Sequence, residues 1–427
     1  MSRKTIPLKR IASIRVSNVD KKSVEDELPV RLCNYTDVYY RDSVDPSQEF
    51  MWATASRAQV SAFNLKAGDV VITKDSESAD DIGIPTHVAS SAPDLVCGYH
   101  LALLRPLSEA VRGRFLFWCM SSASMRSQFE VSATGITRFG LRTDAIGDTT
   151  LQLPPLHVQQ AIADYLDAET ARIDALIEKK WRMLHVLEER RRSYLLNLLV
   201  SSGERQRNLE WLGNVPEDWP LVKIGVVADF YAGTTFPHSY QGQSEGDLPF
   251  IKVGDLWSNE AGTNIDNAAN WITHSTAQEL RGTIVPRGSI LYARVGEALR
   301  LNPRRLVTRP SVIDDNVRAI HFRHGDGRYW AELLTQLDLA QLSNPGPVPS
   351  VSEGQVATAR VPMPPLQEQT RIADALAGER KVRTKLHASV VEQIELLIEH
   401  RQALITAAVT GQLQIPGAKH GTGRTRI

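Results

Sequence analysis

One stretch of this chain occurs twice. The segment from Pro154, PPLHVQQAIADYLDAETARIDALIEKKWRMLHVLEERR, returns from Pro364 as PPLQEQTRIADALAGERKVRTKLHASVVEQIELLIEHR. Aligned without a gap, Pro154, Pro155, Leu156, Gln159, Ile162, Ala163, Asp164 and Leu166 match Pro364, Pro365, Leu366, Gln369, Ile372, Ala373, Asp374 and Leu376. Further along, Leu176, Leu187, Glu189 and Arg191 match Leu386, Leu397, Glu399 and Arg401. Two unrelated coiled coils can share scattered leucines, but not a Pro-Pro-Leu start in the same register. An internal duplication constrains the fold more than any single motif.

Both copies read as long helices. Apolar residues fall at Ile173, Ile177, Leu184, Leu187, Leu195 and Leu198, and again at Leu386, Val390, Ile394, Leu397, Leu404 and Ala408, close to a seven-residue repeat. Such stripes with charged flanks make coiled-coil seams. Paired prolines can open a helix but not sit inside one, so each helix is expected to start just after Leu156 or Leu366. Gly203 and Gly411 are the expected stops. Roughly 45 residues at about 1.5 Å each give a rod of about 65 Å. A striped helix of that length needs a partner, and the other copy is the nearest one.

The duplication extends more faintly into the segments before each helix. Leu65-Lys-Ala-Gly-Asp-Val-Val-Ile72 resembles Val285-Pro-Arg-Gly-Ser-Ile-Leu-Tyr292, a turn on Gly68 or Gly288 feeding a buried strand. Leu28-Pro-Val-Arg-Leu and Leu248-Pro-Phe-Ile-Lys-Val read as short strands after a proline. The expected class is α+β: two globular domains, each followed by a long coiled-coil helix, from one internal duplication. The expected boundaries are 1–152 for the first domain, 153–203 for the central helix, 204–361 for the second domain, 362–413 for the last helix and 414–427 for a polar tail. The polar stretch SSGERQRN, Ser201 to Asn208, reads as the joint.

Composition narrows the class. Lys+Arg and Asp+Glu are equal at 49 each, which argues against bulk electrostatic gripping of nucleic acid but leaves room for a local basic surface. No run approaches the roughly 18 apolar residues of a membrane helix, and no signal-peptide core follows the basic N-terminus. Cys33, Cys97 and Cys119 lie far apart, pointing to a reducing, cytoplasmic setting without a disulfide framework or zinc finger.

With the PPLxxQxxIADxL start present at Pro154–Leu166 and Pro364–Leu376, and Glu210-Trp-Leu-Gly-Asn-Val-Pro-Glu-Asp-Trp219 standing before the second module, the chain resembles the specificity (S) subunits of type I restriction-modification enzymes. The first module departs from the pattern: it lacks the WLGxxPxxW lead-in and begins at Pro7-Leu-Lys-Arg-Ile. The resemblance implies two target-recognition domains, each reading one half of a split double-stranded DNA sequence, with the helices packed antiparallel between them. It also implies a chain that is not itself an enzyme and that assembles with two methyltransferase (M) subunits and, in the full complex, motor-nuclease (R) subunits. S-adenosylmethionine, ATP and Mg2+ are then used by those partners, and no cofactor by this chain.

The residues themselves carry no catalytic signature: no P-loop, no dinucleotide loop, no Asn-Pro-Pro-aromatic cluster and no metal-ligand spacing. Glu178-Lys179-Lys180 has a nuclease-like spacing but reads as the solvated flank of a helix, and Asp314-Asp315 as a turn or strand end. For DNA contact the clearest cluster is ARVGEALRLNPRRLVTR, with Arg294, Arg300, Arg304, Arg305 and Arg309 against one acid, Glu297. Reversing the charge of Arg304 and Arg305 is expected to weaken DNA binding and flatten its salt dependence. The matching stretch of the first module, Lys74-Asp75-Ser76-Glu77, is acidic, so a different contact is expected there: Thr134-Gly-Ile-Thr-Arg-Phe139, with Thr134, Thr137 and Arg138 around a glycine turn. Its counterpart, Asn344–Ser350, is uncharged. Trp181, outside the seam, is expected either to dock a methyltransferase subunit or to pack against a domain. The rival readings are a protein-binding scaffold with duplicated domains, and the specificity module of a single-chain restriction or modification enzyme.

Overall fold

Short apolar runs set the centre of each globular half. In the first, Val70–Thr73 is buried throughout and pairs with Leu101–Pro106, whose first four residues are buried. In the second, Ile290–Ala293 is likewise buried and pairs with Val317–Phe322. Strands buried on both faces need two covering layers, and alternation assigns their side chains. Val70, Ile72, Ala102 and Leu104 join a cluster with the helices Gly113–Met120 and Ala123–Ser132, while Val71, Leu101 and Leu103 join one with Cys33, Val38, Val44 and Leu95. Ile290, Tyr292, Ile320 and Phe322 face helix Gly327–Thr335; Leu291, Ala293, Val317 and Ala319 face Ile251, Leu256 and Ile313. The computed structural model describes residues 5–200, 205–257, 263–344 and 346–416. The stop expected at Gly203, the first four residues of the joint and the tail beyond 416 lie outside the described residues.

The duplication runs through every principal sheet. The first domain has a five-stranded sheet in the order Ala12–Val16, Leu101–Pro106, Val70–Thr73, Pro85–Val88, Ser43–Val44. The second repeats it as Ala228–Ala232, Val317–Phe322, Ile290–Ala293, Arg305–Val307, Asn264–Ile265. In both, the first three pairings are antiparallel and the last is parallel. A three-stranded sheet, Met51–Ala55, Leu28–Cys33, Leu95–Cys97, is matched by Asn270–Ile272, Leu248–Ile251, Val312–Ile313 with the same directions. A two-stranded pair, Thr5–Pro7 with Thr150–Gln152, is matched by Leu221–Lys223 with Arg360–Pro362. The expected turns hold left-handed glycines, Gly68 at φ 88° and Gly288 at φ 87°. The second domain adds a lead-in hairpin, Gln206–Leu209 with Gly213–Pro216, whose Leu212 and Trp219 are buried.

The long helices are Leu156–Val200 and Leu366–Thr410, 45 residues each. The second ends at Gly411, φ 74°, where Gly411 N–H donates to Ala408 O and Gln412 N–H to Ala407 O, a closing pair that takes up two of the last turn's carbonyls. The chain folds as two compact units, one running to Trp181 and resuming at Val391, the other Arg182–Val390. This differs from a linear division into domain, helix, domain, helix. Each unit takes a domain, half of one long helix and half of the other, because antiparallel pairing brings the start of one helix beside the end of its copy. In the first unit Asp174 pairs with Arg401 at 2.9 Å and Lys180 Nζ donates to Gln393 Oε1 at 2.5 Å. In the second, Glu188 pairs with Arg383 at 2.8 Å. Of the seam residues, Ile173, Leu184, Leu195, Val390 and Ile394 are buried and Ile177, Leu187, Leu386, Leu397 and Leu404 half-buried. Trp181 is 56% exposed, which removes the option of burial against a domain.

The shared helix start has a packing reason. Gln159, fully buried, donates through Nε2 to Ala110 O (3.0 Å) and Pro154 O (2.8 Å) and accepts from Arg112 N–H (2.9 Å). Gln369 donates to Pro364 O (2.8 Å) and accepts from Asp326 N–H (2.9 Å). One buried amide therefore pins each helix start to the turn before a domain helix. The duplicated arginines do the same further along: Arg401 pairs with Asp42 and Arg191 with Glu332, a buried carboxylate that also contacts Arg380.

Candidate nucleic-acid interface

The arginine-rich stretch of the second domain is a strand end, a short helix and a second strand rather than one loop. Arg304 is only 3% exposed. Its guanidinium donates to Pro303 O (2.8 Å), Asn302 Oδ1 (2.8 Å) and Leu337 O (3.1 Å), lying over the Tyr292 ring. Burial draws its pKa down, and these acceptors compensate the charge. This corrects the expectation: Arg304 fastens Asn302–Pro303 to the end of helix Gly327–Thr335 and presents nothing to a ligand. Arg305 is half-buried on strand Arg305–Val307, donates to Arg304 O and has Arg191 as its electrostatic neighbour, so it too is turned inward. Arg300 is exposed and loosely paired with Glu297 at 3.5 Å, and Arg309 is exposed with its guanidinium over Trp271. Asp314-Asp315 forms the turn into strand Val317–Phe322, Asp314 accepting from Asn316.

Arg294 stands elsewhere, one residue past the buried strand Ile290–Ala293. Its N–H donates to Asn316 O (3.1 Å), and its carbonyl accepts from Val351 N–H (2.9 Å). Lys74 of the first domain occupies the same junction: its N–H donates to His100 O (2.9 Å), and its carbonyl accepts from Leu141 N–H (2.8 Å). The flanking hairpin is duplicated as well. Thr134 and Gly140 exchange backbone bonds of 3.1 and 2.9 Å, and Asn344 N–H donates to Ser350 O at 3.1 Å. Each domain therefore sets a basic strand end beside a closed hairpin, the strand end held by the same two backbone bonds, with different side chains upon them. The matched stretch is not the acidic contrast that the sequence suggests. Burial opposes the Asp75 carboxylate, but hydrogen bonds from Lys74 (2.7 Å) and His100 (2.5 Å) outweigh it and hold its pKa below the usual carboxylate range.

Around the first junction lies an aromatic and hydrogen-bonding surface. Arg138 lies against the His100 ring, Nη2 being 3.1 Å from Nδ1 and 3.3 Å from Nε2. Tyr99 packs on His100 at 3.9 Å, and the Lys74 ammonium lies over Tyr99 at 5.6 Å. Tyr35 and Tyr39 stack at 5.6 Å, with Tyr40, 78% exposed, edge-on to Tyr39. The Tyr39 hydroxyl donates to Asp81 (2.8 Å), which pushes its pKa up to about 12. A recess of about 480 Å³ opens between Tyr35, Tyr39, His100, Thr137 and Arg138. Thr134, Thr137 and Arg138 are all exposed. At the second junction Arg294 Nε donates to Asp315 O (2.9 Å) and Arg318 donates to the same carbonyl (2.8 Å). Burial first, then the Arg294 charge, lowers the Arg318 pKa. His100, Tyr99 and Arg318 were not singled out from the sequence. Extending the Leu65–Ile72 and Val285–Tyr292 match by two residues brings Lys74 opposite Arg294, the one signal that leads to this place.

Such a surface offers guanidinium, ammonium, hydroxyl and aromatic groups, the set used on phosphates and base edges. Among the described residues no three His, Cys, Asp or Glu stand together to hold a metal, and no helix is long and apolar enough to cross a membrane. Residues 16–182 and 216–396 each match the type I restriction modification DNA specificity domain. The chain belongs to that family. Each matched segment of this type I specificity protein contains one junction, with Lys74 in the first and Arg294 in the second. It is similar to the type I restriction enzyme MjaVIII specificity subunit of Methanocaldococcus jannaschii, 19% identical over 70% of each chain. It is also similar to the MjaX specificity subunit of the same organism, 22% identical over 47% of this chain, a match spanning about half of that relative (48%). In fold it matches a structure solved in work on complex assembly and conformational transition of the type I R-M system (TM-score 0.70, 17% identity, 96% of this chain and 98% of that one). The HsdS subunit from Thermoanaerobacter tengcongensis matches with TM-score 0.51 and 16% identity, over 96% of this chain and 97% of its own.

Proposed function

We propose that this specificity subunit reads a bipartite double-stranded DNA target, one half with each domain. The reading surface of the first domain is Lys74, Tyr99, His100 and the hairpin carrying Thr134, Thr137 and Arg138. That of the second is Arg294, Arg318 and the hairpin Asn344–Ser350, with Arg300 and Arg309 as outlying phosphate contacts. The observation that carries this is the junction whose strand-end residue, Lys74 or Arg294, donates and accepts the same two backbone bonds in both domains while the side chains differ. A reader of two unlike half-sites needs a constant frame and variable chemistry. The paired helices set the unread spacer and dock two methyltransferase subunits, joined by motor-nuclease subunits in the full complex. Those partners use S-adenosylmethionine, ATP and Mg2+, and the assembly works in the cytoplasm.

The test is a map of methylated sites made by the subunit with its methyltransferase partner. Lys74→Ala with Arg138→Ala relaxes the first half-site alone, and Arg294→Ala the second alone, each by about 1–3 kcal/mol of discrimination at the affected base pair. Unchanged motifs in both variants refute the assignment. Uniform weakening without relaxed sequence reduces these residues to phosphate contacts.

A further inference from the structure

Ile136 is 94% exposed, more than any other large apolar side chain among the described residues. Single exposed aliphatics are common on protein surfaces, but this one is held out by a built frame. The Thr134–Gly140 pair closes the hairpin base, and Phe139–Gly140 pairs with Asp75–Ser76. Gly135, at φ 146°, has no room for a side chain: a Cβ there would meet the Arg138 carbonyl. Below the tip, Arg138 is fixed against His100. The chain thus uses a glycine-only turn to hold an isoleucine in water, between two threonines and an arginine. The matching hairpin of the second domain also leaves an aliphatic exposed, Val348 at 62%.

We infer that Ile136 is a wedge that enters the duplex at the first half-site and opens a base step. This rests on the reading of the junction face as the DNA interface. An aliphatic side chain pushed between base pairs exchanges water for base faces, and flanking donors can hold the sugar-phosphate chains on either side. Thr134, Thr137 and Arg138, all exposed beside it, supply such donors. Part of the first domain's selectivity then comes from how readily a step unstacks rather than from its base edges.

The test uses the complex with its methyltransferase partner and a duplex carrying the mapped site. 2-Aminopurine is placed in turn through the first half-site and its flanks, away from the methylated base. The wild type raises the fluorescence at one step. Ile136→Ser abolishes that rise and weakens binding on the order of tenfold, while Ile136→Leu restores both; the side chain is exposed, so neither variant disturbs folding. No rise with the wild type, or a rise that persists in Ile136→Ser, overturns the wedge and leaves the interface standing. Arg138→Glu separates the two readings: it lowers affinity if the face meets DNA, and wild-type affinity in that variant overturns the interface and the wedge together.

Discussion

Replacing Gln159 by leucine tests whether the duplicated helix start is held by its buried amide. Leucine has nearly the volume of glutamine, so little cavity forms. What is lost is three hydrogen bonds, to Ala110 O and Pro154 O and from Arg112 N–H, at the fully buried Gln159. At about 1 kcal/mol net for each bond, the first unit loses about 3 kcal/mol. In a unit of this size that corresponds to a fall of roughly 6–12 °C in Tm. Gln369→Leu removes two bonds, to Pro364 O and from Asp326 N–H, so the second unit loses about 2 kcal/mol. Hydrogen exchange resolved on peptides from 101–132 and from 317–335 reads the two units separately. Each variant should loosen its own unit and leave the methylated sequence unchanged. A loss below about 1 kcal/mol for Gln159→Leu, or a larger loss for Gln369→Leu, would refute the reasoning.

Other expectations follow from particular side chains. His87, which burial and the nearby Arg114 charge hold at a pKa of about 4, stays neutral in the fold. Between about pH 6.5 and 4 the unfolded chain therefore takes up a proton that the folded chain refuses, and up to about 3 kcal/mol is lost as pH falls through that window. His87→Gln should flatten this acid limb in urea titrations, and an unaltered limb would show that His87 does not cause it. Glu332→Leu leaves Arg191 and Arg380 without their shared carboxylate and should cost the second unit about 3–5 kcal/mol, measured by denaturant unfolding. Arg304→Met should lower stability while leaving the salt dependence of DNA binding intact in the folded fraction; a reduced salt slope would return Arg304 to the interface. Adding one heptad to both long helices should lengthen the unread spacer in the methylation map without altering either half-site, and an unaltered spacer would refute the ruler.

Legibility in the sequence divides along physical lines. The helix starts at Leu156 and Leu366, the stop at Gly411, the left-handed turns at Gly68 and Gly288 and the strands they feed were all readable. Proline's missing N–H, glycine's freedom at positive φ and apolar periodicity act over a few residues, so neighbouring letters suffice. The duplication and the α+β class follow from those same local signals said twice.

What a charged side chain does was not readable, because it depends on groups far along the chain. Arg304 looked like a ligand contact beside Arg305, yet a carbonyl 33 residues away claims it. Lys74-Asp75 looked acidic until His100, 25 residues on, satisfied the carboxylate. Gln159 was visible only as a repeated letter until Ala110 and Arg112 came within bonding distance. Local backbone preference is written residue by residue, whereas burial, pairing and exposure of a polar group are settled only when distant segments meet and exclude water.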